Sequence, residues 1–418
     1  MRIDHLTIRN FNGFEFREFD FNPAFNLLVG DNASGKTSAL DALSVAVGSW
    51  FSGLRGYAVP PRISQEQVRV VAHPYQDAYS FEKQFPSRIE ARGSVMGRSL
   101  SWASELSREG GKTKSQGAKD IIASAADAQK GVSEGKDVRL PLICTYGAER
   151  LWFERKQQPG APLPSSRLDG YRGCFDFTIQ ESSLLAWIAA QVSAGQERRQ
   201  ETIAYAVAKQ AITRCVEGAK SLYYDERYKD LIIDLKQFGQ QMFKNLSDGQ
   251  RIVLTLVGDL VRRATTLNPQ LADRVLQNTP GVVLIDELDL HLHPKWQRHI
   301  IKDLKTTFPS IQFITTTHSP QLVGEALAEE VIRLRGTEAT NPSQSFGMDS
   351  NWVLKHVMET DDRDHSVKVK LDELENLISE FKLEEAREKL DELRGEIGAH
   401  PELVRFAARI DRFAKKAQ

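Results

Sequence analysis

Apolar and polar positions alternate through the first thirty residues. Ile3, Leu6 and Ile8 stand among polar neighbours, and Phe11, Phe14, Phe16, Phe19 and Phe21 continue the pattern. A period of two with aromatic residues predicts a β-hairpin or meander. Phe25 to Val29 (FNLLV) is a short, mostly apolar run of buried-strand character, and it stops at Gly30. From Thr37 to Phe51, Leu40, Leu43 and Val47 return at helical spacing. The chain opens as strand, glycine-rich loop, helix.

Farther on, Ile89 to Val95 and Leu140 to Tyr146 read as strands. The polar stretches Ser107 to Lys119 and Lys156 to Ser166 read as loops. Helical spacing runs from Ile179 to about Gly218, through Leu184, Trp187, Ile188, Val192, Ile203, Val207 and Ile212. Leu231 to Leu235 returns to strand character. A helix follows Leu246 to Gln250 and runs through Val261. Gly281 to Ile285 and Ile311 to Thr315 are strands. From about Asp364 the chain is charge-rich with helical apolar spacing, and Pro401 can open a last helix. This tail reads as a small helical bundle for capping, dimer contact or partner docking.

Composition narrows the class. In 418 residues, 41% are hydrophobic and 27% charged, which excludes a disordered or collagen-like chain. Lys and Arg number 55 against 56 Asp and Glu, so any nucleic acid must be held by a local patch. Cys144, Cys174 and Cys215 are far apart and odd in number, against a disulfide framework or a CxxC metal site. The N-terminus shows no secretory pattern, and no apolar run approaches membrane-spanning length. A soluble, reducing, cytoplasmic setting without membrane contact is expected.

Four segments carry chemistry. Gly30-Asp31-Asn32-Ala33-Ser34-Gly35-Lys36-Thr37 matches G-x-x-x-x-G-K-[ST] between a strand and a helix. Its backbone N–H groups, from Gly30 through Ser38, face phosphates at a helix N-terminus. Lys36 adds a charge on the β- and γ-phosphates, and the Thr37 hydroxyl ligates Mg²⁺. The strand from Val282 ends in Asp286 and Glu287. A core strand can end in acids for no reason of chemistry, but beside a P-loop Asp286 suits the metal and Glu287 the attacking water. His318, in Thr315-Thr316-Thr317-His318-Ser319-Pro320, stands where it could donate to a γ-phosphate, or be satisfied structurally. Ser247, Gly249 and Gln250 open a helix in Leu246-Ser247-Asp248-Gly249-Gln250-Arg251. Ser247 there is an ordinary N-cap that becomes an anion site when a second subunit brings a phosphate.

In this order the four segments resemble the ABC-type ATPases of the SMC- and RecF-like branch, with LSDGQ where transporters carry LSGGQ. The opening MRIDHLTIRNFNGF also looks like that branch. The resemblance covers about residues 1–50 and 240–335 well and the middle loosely. It implies an α/β P-loop head that binds ATP and Mg²⁺. Two heads would dimerise head to tail, with Ser247 and Gly249 of one meeting the γ-phosphate held by Lys36 of the other. It also implies a Gln or equivalent at the metal. Tyr146-Gly147-Ala148-Glu149-Arg150 is the candidate segment, unless it is a plain strand-to-loop turn. His293 departs from the pattern, standing where transporters carry Asp. The His291-x-His293 pair, without clustered ligands, reads as structural.

The expected divisions are a head in two parts (1–178 and 221–345), an inserted helical lobe (179–220) and a helical tail (346–418). LPLICTYGAERLW, DELDLHLHPKWQ and the short tail resemble, more narrowly, the PtuA-like ATPases of Septu anti-phage systems, also found beside some retrons. That likeness implies an ATPase, dimeric or of higher order, that holds or gates a separate HNH-type nuclease. No nuclease motif is evident in this chain. DNA or RNA would be reached directly or through that partner. A RecF-like repair ATPase is the alternative, with Arg198, Arg199, Arg262, Arg263, Lys112, Lys114 and Lys119 as candidate DNA contacts. A scaffold in which ATP only glues the dimer is a third reading.

Overall fold

The computed structural model describes residues 1–76, 78–148, 164–176, 181–361, 364–398 and 400–417. They divide into two compact units, Met1–Val353 and Leu354–Gln418.

The first unit is built on two sheets. The mostly parallel one runs in the order Glu338–Thr340, Val331–Arg335, Phe25–Val29, Ile311–Thr316, Gly281–Ile285, Leu142–Tyr146. Only the edge strand Glu338–Thr340 is antiparallel to its neighbour. The strands Phe25–Val29, Leu142–Tyr146, Gly281–Ile285 and Ile311–Thr316 are buried at every position. Strands covered on both faces are mostly apolar, which is why short apolar-rich runs marked them in the sequence, and the polar residues they do bury, such as Asn26 and Gln312, are hydrogen-bonded.

The second sheet is antiparallel, in the order Phe14–Asp20, Arg2–Phe11, Ser87–Val95, Arg98–Leu106, Lys114–Gln116. Its alternating pattern puts Ile3, Leu6, Ile8 and Phe11 in the core. Gln312 joins the sheets: its amide accepts from the Ile3 N–H at 2.8 Å and donates to the Ile3 carbonyl at 2.8 Å. The helix Lys36–Gly48 packs against strands of both sheets, and the Trp102 indole donates to its Ala46 carbonyl at 2.8 Å. Lys114–Gln116 pairs as an edge strand where the polar stretch predicted only loop. Three antiparallel strands, Ala219–Asp225, Asp230–Leu235 and Gly239–Met242, form a third sheet. A two-stranded hairpin pairs Val70–Tyr75 with Ala78–Lys83.

The helical stretch predicted from Ile179 resolves into Glu181–Glu197 and Ile203–Cys215, both packed on the long helix Asp248–Leu267. They belong to the same compact unit as the sheets. The second unit contains His365–Ser379, Leu383–Ile397 and Pro401–Ala417. Leu371, Leu374, Ile378, Ala386, Leu390, Leu393, Leu403 and Ile410 form its own core.

Candidate active site

Phe25–Val29 delivers the chain to Gly30 at the end of the parallel sheet. Gly30 has φ 156°, and a Cβ there would come within 2.8 Å of the Leu334 carbonyl. Gly35 has φ 97°, and a Cβ there would strike the Phe14 ring. Both positions therefore need glycine. The Ser34 N–H closes a turn on the Asp31 carbonyl at 3.1 Å. Ala33, at φ 65°, completes the curl, and Asn32 and Ala33 are exposed at its rim. Half-buried Ser38 follows in the first turn of the helix that starts at Lys36.

Lys36 is buried, and its ammonium donates to the Gly30 carbonyl at 2.7 Å and the Asp31 carbonyl at 2.9 Å. Desolvation lowers its pKa, while Asp286, Asp31, Glu287 and Asp289 pull the other way. The Ser34 hydroxyl is buried and has no hydrogen-bond partner. A curled loop with an orphaned hydroxyl and a lysine resting on its own carbonyls fits a phosphate that would take both.

The acids come from the neighbouring strand. Gly281–Ile285 lies in parallel register between Leu142–Tyr146 and Ile311–Thr316, so Ile285 sits beside Tyr146 and Thr315. The chain then leaves the sheet: the Asp286 N–H donates to the Tyr146 carbonyl at 2.8 Å. The Thr37 hydroxyl donates to Asp286 Oδ2 at 3.2 Å, and the Thr316 hydroxyl to Asp286 Oδ1 at 2.5 Å. Thr316 Oγ1 also accepts the Glu287 N–H at 2.7 Å. Glu287 has φ 49°, a conformation that costs energy outside glycine and clusters at functional sites. A hydroxyl and a carboxylate meeting beside the P-loop supply the oxygen donors that Mg²⁺ prefers.

The next turn holds Thr317, His318 and Ser319. The Thr317 hydroxyl donates to Asp289 Oδ1 at 2.6 Å, and the His318 N–H reaches the same oxygen at 3.4 Å. The Ser319 hydroxyl donates to Gln297 Oε1 at 2.7 Å. His318 itself is exposed. His293 Nδ1 accepts the Lys295 N–H at 3.2 Å, capping the short helix Pro294–Gln297.

The signature residues stand on a separate element. Ser247 caps Asp248–Leu267: its hydroxyl accepts the Gln250 N–H at 3.4 Å, and Gln250 Oε1 accepts the Ser247 N–H at 3.1 Å. That reciprocal pair is a capping box. Gly249 is buried, and a Cβ there would lie 2.7 Å from the His291 carbonyl. Hydrogen bonds thus join the P-loop helix directly to Asp286, whereas Gly249 borders the loop that follows Glu287.

Residues 5–238 match the model of a family described as AAA domain, and residues 227–324 match one described as AAA domain, putative AbiEii toxin, Type IV TA system. This chain belongs to the AAA-domain family. It resembles proteins named as retron probable ATPases and as Septu PtuA. It is 38% identical over 176 residues to the Retron Ec83 probable ATPase of Escherichia coli, an alignment taking in 41% of this chain and 32% of that one. The Retron Vc95 probable ATPase of Vibrio cholerae is 23% identical over 85% of this chain and 79% of its own length. Septu protein PtuA of Bacillus thuringiensis is 32% identical over 31% of this chain and 34% of its own. The chain thus spans about a third of the Ec83 and PtuA relatives. The SMC head domain from Thermotoga maritima superposes with TM-score 0.45 at 16% identity, over 81% of this chain and 98% of that one.

Two residues of this AAA-domain head escaped the motif reading. Thr316 bonds Asp286 and the Glu287 backbone, and Asp289 bonds Thr317 and His318, yet one reads as an ordinary strand residue and the other as a loop acid. Tyr146, the first residue of the candidate segment, ends the strand Leu142–Tyr146. Its ring is buried, its hydroxyl donates to Asp259 Oδ2 at 2.8 Å, and it serves the site through its carbonyl. Glu149 and Arg150 lie outside the described residues. Of the candidate DNA contacts of the RecF-like alternative, Arg262 is half-buried and Arg263 buried. Both pair with Asp259, and buried Arg263 also donates to the carbonyls of Gly170, Arg172 and Gly173. Arg198, Arg199, Lys112, Lys114 and Lys119 are exposed.

Proposed function

We propose that this chain binds ATP with Mg²⁺ and hydrolyses it as the ATPase subunit of a prokaryotic anti-phage defence complex. The observation that carries the reading is the hydrogen-bond chain from the Thr37 hydroxyl through Asp286 and Thr316 to the Glu287 backbone. It ties the phosphate loop to the acid suited to a metal and to the acid suited to water. Lys36 would exchange the Gly30 and Asp31 carbonyls for the β- and γ-phosphates. Thr37 and Asp286 would hold Mg²⁺, which when bound neutralises charge on the phosphate oxygens. Glu287 orients the attacking water, and His318 responds to the γ-phosphate. Gly30, Asn32, Ala33, Ser34, Gly35 and Ser38 complete the cradle through backbone and hydroxyl groups.

Ser247, Gly249 and Gln250 complete the site of a second copy, so ATP closes a head dimer and hydrolysis opens it. The defence setting is supported by the retron and Septu relatives. In that setting the head regulates a separate HNH-type nuclease, and DNA or RNA is met directly or through that subunit. Among the described residues no helix is long and apolar enough to cross a membrane. The proposed setting of the complex is the cytoplasm.

The test is purification of the full chain alone and with any HNH-type product of a neighbouring reading frame. We expect Mg²⁺-dependent ATP turnover, nucleotide-dependent association, and nuclease activity that changes between ATP and ADP. A chain that neither binds ATP nor changes association with it overturns the reading. A nuclease indifferent to nucleotide overturns the regulatory half alone.

A further inference from the structure

Charge is segregated in the second unit. Residues 354–418 carry 16 acids and 13 Lys or Arg, but the two signs do not mix evenly. Helix Leu383–Ile397 has six acids against three cations, and Pro401–Ala417 has five cations against two acids. The two helices pack together, and ion pairs such as Arg387–Asp411 and Arg409–Glu375 use part of this charge inside the unit. Exposed charge remains on each. Glu384 and Glu388 on one helix, and Arg405, Arg412 and Lys415 on the other, make no ion pair among the described residues.

Both rows recur at helical pitch. Glu384 and Glu388 are one turn apart, and Glu392 continues the row. Arg405, Arg409 and Arg412 repeat at four and three residues on the face opposite buried Leu403 and Ile410. A molecule that presents an acidic row and a basic row of the same pitch is complementary to itself, the condition for an isologous contact. Phe381 and Val404, 67% and 60% exposed, supply apolar surface beside the rows. The net acidity of the unit works against a nucleic-acid backbone as the occupant, because a phosphate chain drawn to the basic helix meets the acidic one beside it.

We infer that the C-terminal unit is a self-association module in which the basic helix of one copy docks on the acidic helix of another, and the reverse, without nucleotide. Exposed ion pairs contribute little singly, so the contact is a concentration-dependent one that salt weakens. It is separate from the head contact across ATP and needs no part of the nucleotide reading. Its consequence is a second interface, able to hold heads together while their nucleotide contact opens.

The full chain, free of nucleotide, is measured by sedimentation equilibrium over protein concentration and salt. We expect a dimer at low salt that dissociates as salt rises. One variant carries Arg405→Glu, Arg412→Glu and Lys415→Glu, and a second carries Glu384→Lys, Glu385→Lys and Glu388→Lys. Each alone is expected to self-associate at least about tenfold more weakly, the loss of several exposed pairs. An equimolar mixture is expected to restore association, which also shows that both variants are folded. Wild-type chain that stays monomeric, variants that associate like the wild type, or a mixture that remains monomeric overturns the inference. So does loss of bound nucleic acid from the first variant with its association unchanged, because the occupant is then a polyanion.

Discussion

The Thr316 hydroxyl holds Asp286 and its neighbour together, donating to Asp286 Oδ1 at 2.5 Å while accepting the Glu287 N–H at 2.7 Å. Thr316 belongs to the adjacent strand and is fully buried. Thr316→Val keeps the shape and removes both bonds. An unsatisfied N–H in a buried setting costs about 1–3 kcal/mol, and here that cost falls on the backbone that aims Glu287. We expect ATP turnover to fall about 10- to 100-fold while ATP affinity changes less than about threefold. Loss of affinity equal to the loss of turnover would place Thr316 in the binding of nucleotide instead.

Lys36→Ala removes the charge that rests on Gly30 and Asp31. A charge-assisted bond is worth about 1.5–3 kcal/mol, so equilibrium binding of ATP should weaken about 10- to 100-fold. Glu287→Gln should bind ATP as the wild type does, lose most turnover and accumulate as an ATP-bound dimer in sedimentation. Turnover at the wild-type rate in Glu287→Gln would remove Glu287 from the role of orienting water.

How much of this was legible depended on burial. Phe25–Val29 and Gly281–Ile285 are buried at every position, so each appears as a short apolar-rich run with its loop directly after it. The tail helices were legible through their apolar spacing, and Leu371, Leu374, Ala386, Leu390 and Leu393 pack, while Phe381 at that spacing is exposed. Ala219–Asp225 and Gly239–Met242 were not, because most of their positions are partly or fully exposed and carry no clean alternation. Thr316 could be found only from register: the strand pairing that sets Ile285 beside Thr315 brings the next threonine under the acids. The pairing of Arg262 and Arg263 with Asp259 was not legible, because two arginines look the same in sequence whether they face solvent or a buried acid.

Gly249 has no room for a side chain. A Cβ would come within 2.7 Å of the His291 carbonyl, which is backbone and cannot swing aside. Gly249→Ala should therefore push the start of Asp248–Leu267 away from the loop after Glu287, at about 1–3 kcal/mol. The expected outcome is a lowered midpoint of thermal unfolding, near-normal ATP binding and impaired ATP-driven association. Unaltered association in this variant would separate the helix start from the dimer contact.

Asp259 lies inside the first unit with Arg262, Arg263 and the Tyr146 hydroxyl around it. Burial pushes its carboxyl up, but Arg263 and Arg262 together outweigh burial and hold it well below the usual carboxylate range. Asp259→Asn leaves a buried guanidinium without its charge partner, a loss of about 3–5 kcal/mol. The pH dependence follows from the depressed folded value. The stabilisation is fully present above the unfolded carboxyl pKa of about 3.9 and is lost as pH falls through the folded one. Denaturant unfolding should show the wild type more stable than Asp259→Asn by a constant margin around neutrality, and the margin should shrink below about pH 4. Tyr146→Phe should lose only one hydrogen bond, about 1 kcal/mol, because both arginines still hold the carboxylate. If Asp259→Asn matched the wild type at neutral pH, the pair would carry no net stability, and the tie between the long helix and the strand that receives Asp286 would rest on apolar packing alone.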